Sequence, residues 1–297
     1  MEIFRGIFSI LILNFSRWKK DLRILIVLVF VALLVIHYLS GYISYAVSEH
    51  KSITFCLLPL LHLQSQVSLA APKMIIYLCF VLLICDAPFM YPTTPYIVLR
   101  TKRNGWWLGE CLYIILSALF FMLFLTACSV ILSLPCISFK NDWGSAITDY
   151  LFGSEKYTFQ ELVQKYPISI DIPMQAVRYL NPFECQIYTF FTGWATMTFL
   201  GFSTYLGGLL KSRSALGIEI AVFFLLLDPI MALQSNAGRP WMLLLSPLCW
   251  TSVEQLSYTR ADSPLTIPKV ICGFVFVFLA QLIAIRKISK KVYIDVS

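Results

Sequence analysis

Six long apolar runs constrain this chain more than any other feature. They lie at residues 24–47, 72–90, 111–134, 187–210, 216–233 and 270–285. Each run is close to the roughly 20 residues that an α-helix needs to cross a bilayer. Only 13% of the residues are charged, against about a quarter in soluble domains. The pattern predicts a single all-α polytopic membrane domain over residues 1–297, with six transmembrane helices.

The positions of Lys and Arg predict the orientation of these helices. If both termini are cytoplasmic, most of the 23 Lys and Arg residues flank the cytoplasmic ends of the runs. Cytoplasmic loops of membrane proteins carry such an excess. We therefore expect a multi-pass protein of the plasma membrane with both termini in the cytoplasm. The net charge of +7 reflects this bias, and it indicates no nucleic-acid partner.

The N-terminal segment is amphipathic. Its polar residues fall on one side at helical spacing; they are Glu2, Arg5, Ser9 and Ser16. This pattern predicts an elbow helix on the cytoplasmic leaflet, with residues 1–22 forming the helix and its basic connector. A signal anchor that continues into the first run is the alternative, and the basic cluster at 17–23 argues against it.

A polar island separates the second run from the third. Three prolines in its first half predict a broken helix and a cytoplasmic coupling loop at 91–106. The basic residues of the island are Arg100, Lys102 and Arg103. Asp86 and Glu110 flank the island, so we expect them to pair with these cations. The pairing is either a simple interfacial ion pair or a brace for a loop that receives mechanical force.

Two further acids lie within the fifth run, where a charge needs a partner or a role. Glu219 is one turn into the run, and Lys211 or Arg213 is its expected partner. Asp228 lies deeper and precedes Pro229. Its carboxylate either caps a helix broken at the proline or faces a translocation path.

Small residues mark part of the fourth run. They are Gly193, Gly201, Gly207 and Gly208. Small residues allow membrane helices to approach closely. The run is therefore predicted to make close helix contacts.

The large extracellular loop at 135–186 is too long for a simple connector. We expect a small cap with short helices near 142–152 and 158–165. Cys136 and Cys185 bracket this loop, and the sequence leaves open whether they pair.

Two outer segments, 53–63 and 240–250, are apolar but too short to span. Such segments are re-entrant or interfacial, and re-entrant backbone must be buried in protein or line a cavity. The second segment is predicted to be a re-entrant outer gate. Its candidate residues are Trp241, Leu244 and Pro247.

The sequence contains none of the common motifs for metal binding, nucleotide binding or nucleophilic catalysis. None of the three histidines has a metal-site spacing, and the chain has no P-loop, dinucleotide fingerprint or nucleophile elbow. We therefore expect no catalytic, metal-binding or cofactor-binding residues, and no enzyme activity of its own.

The polar island resembles the ABC-2 type permeases, the membrane subunits of ABC exporters, especially those of Gram-positive bacteria. The similar residues are Asp86-Ala-Pro-Phe, Thr94-Pro95-Tyr96, Leu99, Arg100, Arg103, Trp106 and Gly109. The elbow helix, the six spans and the re-entrant segment before the last span also resemble that family. The resemblance implies a bacterial protein.

The resemblance also implies the partners. Segment 91–106 would contact ABC ATPase subunits, which use ATP and magnesium, through residues Arg100, Lys102, Arg103, Trp106 and Gly109. A second permease copy or a homologous permease would complete a dimer, with membrane lipids around it. Export by alternating access of an amphipathic peptide, an antibiotic or a lipid-like molecule is the implied function.

Two other classes stay open. A membrane sensor or immunity protein would bind a ligand through the outer loops without transporting it. An intramembrane enzyme would need paired catalytic groups at one depth, whereas Asp86 and Asp228 are expected at different depths.

Overall fold

A computed structural model describes residues 2–63, 72–89, 94–153, 157, 159–166, 174–211 and 214–290. The helices are α1 Glu2–Trp18, α2 Leu22–Ser48, α3 Leu58–Leu61, α4 Pro72–Leu83, α5 Thr94–Ser133, α6 Ser145–Phe152, α7 Phe159–Lys165, α8 Met174–Tyr179, α9 Pro182–Lys211, α10 Ser214–Asn236 and α11 Ile267–Ser289. Two short strands, β1 Ile53–Thr54 and β2 Ile137–Ser138, pair in parallel. Short 3₁₀ helices follow α5 at Leu134–Cys136 and α10 at Pro240–Leu245, Cys249–Thr251 and Val253–Gln255. We call the last three the 240–255 segment.

Within the described residues, four helices are long and apolar enough to cross a membrane. They are α2, the Arg103–Cys136 part of α5 with its 3₁₀ extension, the Ala215–Asn236 part of α10, and α11. The all-α membrane architecture is thereby confirmed. The other two predicted spans coincide with α4, which has only 12 residues, and with α9, which has 30 residues but is less apolar. The count of six spans stays a prediction.

Helix α9 is the central helix of the bundle, and it packs against α4, α5, α10 and α11. Its hydroxyl groups donate to backbone carbonyls four residues earlier in the same helix, at Thr192, Thr198, Ser203 and Thr204. These polar side chains are buried among helices, so each must find a hydrogen-bond acceptor inside the protein. Helix α9 can therefore carry polar side chains at the centre of the bundle.

The glycines of α9 lie where other segments approach closely, as predicted from the sequence. A Cβ at Gly201 would overlap the side chain of Ile114 on α5. A Cβ at Gly208 would lie 2.7 Å from the carbonyl oxygen of Ala87. Gly207 faces Gly217 of α10, with 2.6 Å between an ideal Cβ and the Gly217 Cα. These contacts set the spacing of the central helices.

The predicted loop at 91–106 is helical from Thr94 onward. Pro95 stands in the first turn of α5, where its missing N–H has no intrahelical partner to lose. The helix then continues without a break for 40 residues. The expectation of a broken helix was wrong for this part of the chain, and residues 91–93 lie outside the described residues.

The predicted N-terminal helix is present as α1, and it packs along the first half of α5. Gly6 lies against Thr101, Gly109 lies against Ile10, and the Trp18 indole donates to the Tyr113 hydroxyl at 2.8 Å. These contacts advance in the same order along both helices, so α1 and α5 run parallel. The side chains of Glu2 and Arg5 lie outside the described residues, and the interfacial position of α1 stays a prediction.

Charged residues distinguish the two ends of the bundle. At the end where α2 and α5 begin and α11 finishes, Arg103 donates to the Lys290 carbonyl at 2.6 Å. We call this the basic end. At the other end, α6 and α7 form over the two stretches predicted to be short helices. Lys51 pairs there with Asp149 at 3.1 Å.

Cys136 and Cys185, which bracket the large outer loop, are both free thiols.

The contact between α9 and α10 generates a prediction for Gly217. A Cβ at this position would overlap the backbone oxygen of Thr204. Gly217→Ala should lower the free energy of unfolding in detergent by about 1–3 kcal/mol, because overpacking outweighs the gain in helix propensity. Ala215→Val, at an exposed position of the same helix, should change it by about 0.5 kcal/mol or less. Equal effects of the two substitutions would contradict the close approach.

Candidate functional site

A buried ion pair connects three separate parts of the chain. Lys73 lies in the first turn of α4 and Asp228 in α10, and their side chains are 0% and 1% exposed. The Lys73 Nζ is 2.8 Å from the Asp228 Oδ2. The same ammonium donates to the Ser252 hydroxyl at 3.0 Å and to the Leu248 carbonyl at 3.4 Å. Lys73 therefore holds both α10 and the 240–255 segment.

Further polar groups surround this pair. The Ser252 hydroxyl donates to the His62 carbonyl at 3.2 Å. The His62 ring lies edge-on to the Tyr77 ring, with 5.7 Å between the centroids. His62 is 1% exposed, and its Nε2 has no hydrogen-bond partner among the described residues. We call Lys73, Asp228, His62, Tyr77 and Ser252 the polar centre.

The polar centre fits a structural and positional role better than a chemical one. Its single carboxylate is already neutralised by a lysine, and among the described residues no group of three His, Cys, Asp or Glu side chains could hold a metal ion. The arrangement couples the position of the 240–255 segment to the position of α10. If the 240–255 segment moves, the ammonium loses two acceptors, and if α10 moves, it loses its counter-ion.

The sequence analysis found Asp228 but missed its partner. A lysine inside a run of apolar residues is a signal of the same kind as an acid there, since either charge needs compensation. Lys73 at the start of the second run and Asp228 in the fifth are buried charges of opposite sign. Pairing them required knowing that α4 and α10 are neighbours. No sequence pattern indicated that the His62 carbonyl would accept a hydrogen bond from Ser252.

Asp86 pairs with a different cation from those expected. It lies in the turn after α4, where Arg23 contacts its two carboxylate oxygens at 3.0 and 2.5 Å. Arg23 also pairs with Asp21 at 2.7 Å. The island cations do not provide this contact in the described geometry, and the side chains of Arg100 and Lys102 lie outside the described residues.

Glu110, Trp106 and Gly109 face the interior at the contact between α1 and α5. Glu110 is 3% exposed, and the Asn14 amide donates to its Oε2 at 2.7 Å. Trp106 is 1% exposed and lies edge-on to Tyr205 of α9. Of the five residues predicted to contact an ATPase, Arg103 is the exposed one among those with described side chains.

The outer-gate residues separate into two groups. Trp241 and Leu244 are 53% and 41% exposed. Pro247 is buried, and its carbonyl accepts a hydrogen bond from Thr196 of α9 at 3.3 Å. One side of the 240–255 segment is thus anchored in the bundle. The re-entrant path through a bilayer stays a prediction.

Glu219 is exposed on α10. Of its expected partners, Arg213 lies outside the described residues, as does the side chain of Lys211. Its pairing therefore stays a prediction.

The chain matches no family model, no curated protein and no solved structure. Its functional assignment therefore depends on its own residues and their geometry.

The buried pair generates a prediction for a double-mutant cycle. Lys73→Met and Asp228→Leu should each lower the free energy of unfolding by about 3–5 kcal/mol, because each leaves a buried charge without its partner. The double variant should be much less destabilised than the sum. Unfolding in detergent measures all three, with exposed Lys20→Met as the control at about 0.5 kcal/mol or less. Additive single effects would contradict the ion pair.

The pair of Arg23 and Asp86 generates a prediction for a second double-mutant cycle. The two side chains are 32% and 48% exposed, so solvent screens the attraction between them. Arg23→Gln and Asp86→Asn should each lower the free energy of unfolding in detergent by about 1 kcal/mol or less. The double variant should lose less than the sum of the single effects. Additive single effects would assign the stabilisation to other contacts of these residues.

Proposed function

We propose that this protein is the membrane subunit of an ATP-driven exporter of the ABC-2 type. Its six spans would be α2, α4 with the following turn, α5, α9, α10 and α11, with α1 as the elbow helix. The basic end would face the cytoplasm, so that both termini are cytoplasmic in a bacterial plasma membrane. The order of these elements supports the resemblance found at the polar island.

The observation that carries the proposal is the exposed face of the first turns of α5. Tyr96 and Leu99 are 67% and 72% exposed, and Arg103 and Asn104 are exposed beside them. The opposite face of the same turns is covered by α1. A helix of 40 residues is about 60 Å long, which is twice the thickness of a hydrocarbon core. The first turns of α5 would therefore project from the membrane at the basic end.

This arrangement provides a route for force. A soluble ATPase that binds the exposed face would act on α5 and α1 as one packed unit, because Asn14, Trp18, Glu110 and Tyr113 join the two helices. Helix α5 contacts α9, and α9 contacts the 240–255 segment through Thr196 and Pro247. Motion at the basic end would reach the polar centre through packed helices.

The proposed assembly contains two permease subunits, either identical or homologous, and two ATPase subunits that use ATP and magnesium. The exported molecule would be an amphipathic peptide, an antibiotic or a lipid-like compound. The described helix surfaces are largely apolar, and such surfaces bind the apolar part of a substrate.

The proposal predicts that a new negative charge on the exposed face of α5 weakens ATPase binding. Purification from native membranes should recover a P-loop ATPase, identified by mass spectrometry. Leu99→Glu and Arg103→Glu should each lower the affinity of the purified ATPase for the permease by about ten-fold or more, as expected for residues central to an interface. Substrate-stimulated ATP hydrolysis should fall with it.

A matched control separates docking from general electrostatics. Lys20→Glu reverses an exposed charge after α1, outside the exposed face of α5. It should leave ATPase affinity within about two-fold, since charge changes outside an interface have small effects. If the α5 variants and the control behave alike, the docking site is misplaced. If no ATPase co-purifies with the wild type, the exporter assignment is wrong.

A further inference from the structure

A long apolar groove lies between α9 and α11 near the end of the bundle away from the basic end. Its volume is about 550 Å³. The α9 wall includes Ile187, Phe191 and Ala195, and the α11 wall includes Ile271, Phe274 and Phe278. A groove of this size along two helices is far larger than a packing defect. In a membrane, an apolar chain can fill it.

The groove is held open by the packing around it. Near the basic end, α9 and α11 are in contact, because the Gln281 amide donates to the Phe199 carbonyl at 3.1 Å and to the Ser203 hydroxyl at 3.0 Å. Towards the other end, Trp250 packs against Gly273 and against Phe274, with 5.0 Å between the Trp250 and Phe274 rings. The Trp250 ring thus packs on α11, while its backbone carbonyl accepts a hydrogen bond from Tyr188 of α9.

The groove opens onto a surface that faces lipid. Helix α11 is one of the candidate membrane spans, and only 17% of its apolar window is buried. The groove residues Phe191 and Ile271 are 56% and 58% exposed. An occupant therefore enters from the hydrocarbon phase, so that it must carry an apolar chain.

The mouth of the groove carries a negative charge. Glu184, in the first turn of α9, is the single charged residue among the described residues that line the groove, and it is exposed. Lys269 is near in sequence to the α11 wall, but its ammonium donates to the Pro264 carbonyl at 3.1 Å and it does not line the groove. A carboxylate at the mouth favours a positively charged head group over a negative one.

We propose that this groove binds a single-chain cationic amphiphile, with the chain between α9 and α11 and the positive head beside Glu184. The proposal rests on the proposed function, because it names the substrate class of the same permease. Tyr188 lines the groove, and its hydroxyl donates to the Trp250 carbonyl. The occupied groove therefore adjoins the 240–255 segment, which Lys73 holds from the other side.

The test uses three photoreactive probes on the full-length protein in lipid nanodiscs. Each probe has a hexadecyl chain with a diazirine near its methyl end, and the heads are trimethylammonium, alcohol and sulfate. The labelled peptides are mapped by mass spectrometry. The trimethylammonium probe should label residues 187–195 and 267–278 in preference to other lipid-facing helices, and the sulfate probe should label them least.

Two substitutions with matched controls locate the chain and the head. Ala195→Trp should fill the groove and abolish preferential labelling, whereas Ala280→Trp, at an exposed position of α11 outside the groove, should not. Glu184→Gln should weaken binding of the trimethylammonium probe by about three-fold, as expected for one exposed ion pair. It should leave binding of the alcohol probe unchanged. Glu219→Gln, an exposed acid outside the groove, should affect neither probe.

The possible outcomes separate this inference from the exporter assignment. Labelling spread over all lipid-facing helices, or unchanged by Ala195→Trp, would overturn the groove as a binding site. Groove labelling that is equal for all three heads would overturn the preference for cations and indicate ordinary lipid. None of these measurements needs an ATPase, so a failure to find that partner would leave the groove result intact.

Discussion

The ion pair between Lys73 and Asp228 is the interaction on which the arrangement of the bundle depends. Both side chains are essentially inaccessible to solvent, and an isolated charge in such surroundings costs several kcal/mol. Each residue therefore restricts where the other can be. Because Lys73 also donates to Ser252 and to the Leu248 carbonyl, the same constraint fixes the 240–255 segment between α10 and α11. The ammonium group of Lys73 thus holds together residues that are far apart in sequence.

Two regions of different character lie towards opposite ends of the bundle. Towards the basic end, α1 and α5 form a packed unit whose exposed face carries Leu99 and Arg103. Towards the other end, an apolar groove lies between α9 and α11, with Trp250 packed against α11. Helix α9 contacts both regions, and four of its hydroxyl groups donate to carbonyls within the same helix. It can therefore be polar and central without destabilising the bundle.

Sequence patterns predicted some parts of this fold and missed others for physical reasons. Apolar runs and glycines report local properties, so the all-α membrane architecture and the close contacts at Gly201 and Gly207 were predictable. The start of α5 was not, because the prolines before it suggested a break and Pro95 instead occupies a first turn. The partners of Asp86 and Glu110 were also missed. Charge pairing depends on which helices are neighbours, and neither Arg23 nor Asn14 is near its acid in sequence.

A buried ion pair is a poor means of gaining stability, since a well-packed apolar pair of the same volume is often as stable or more so. Its value in this bundle is positional. In a membrane, apolar helix surfaces gain little from meeting each other, because lipid is an equally good neighbour. An apolar contact would let the 240–255 segment slide along α4 and α10 at little cost. A lysine with one carboxylate and two further acceptors favours a single position, and any other position must supply new partners. The ion pair therefore restricts the segment to a position that supplies these partners, which a packed apolar surface alone would not do.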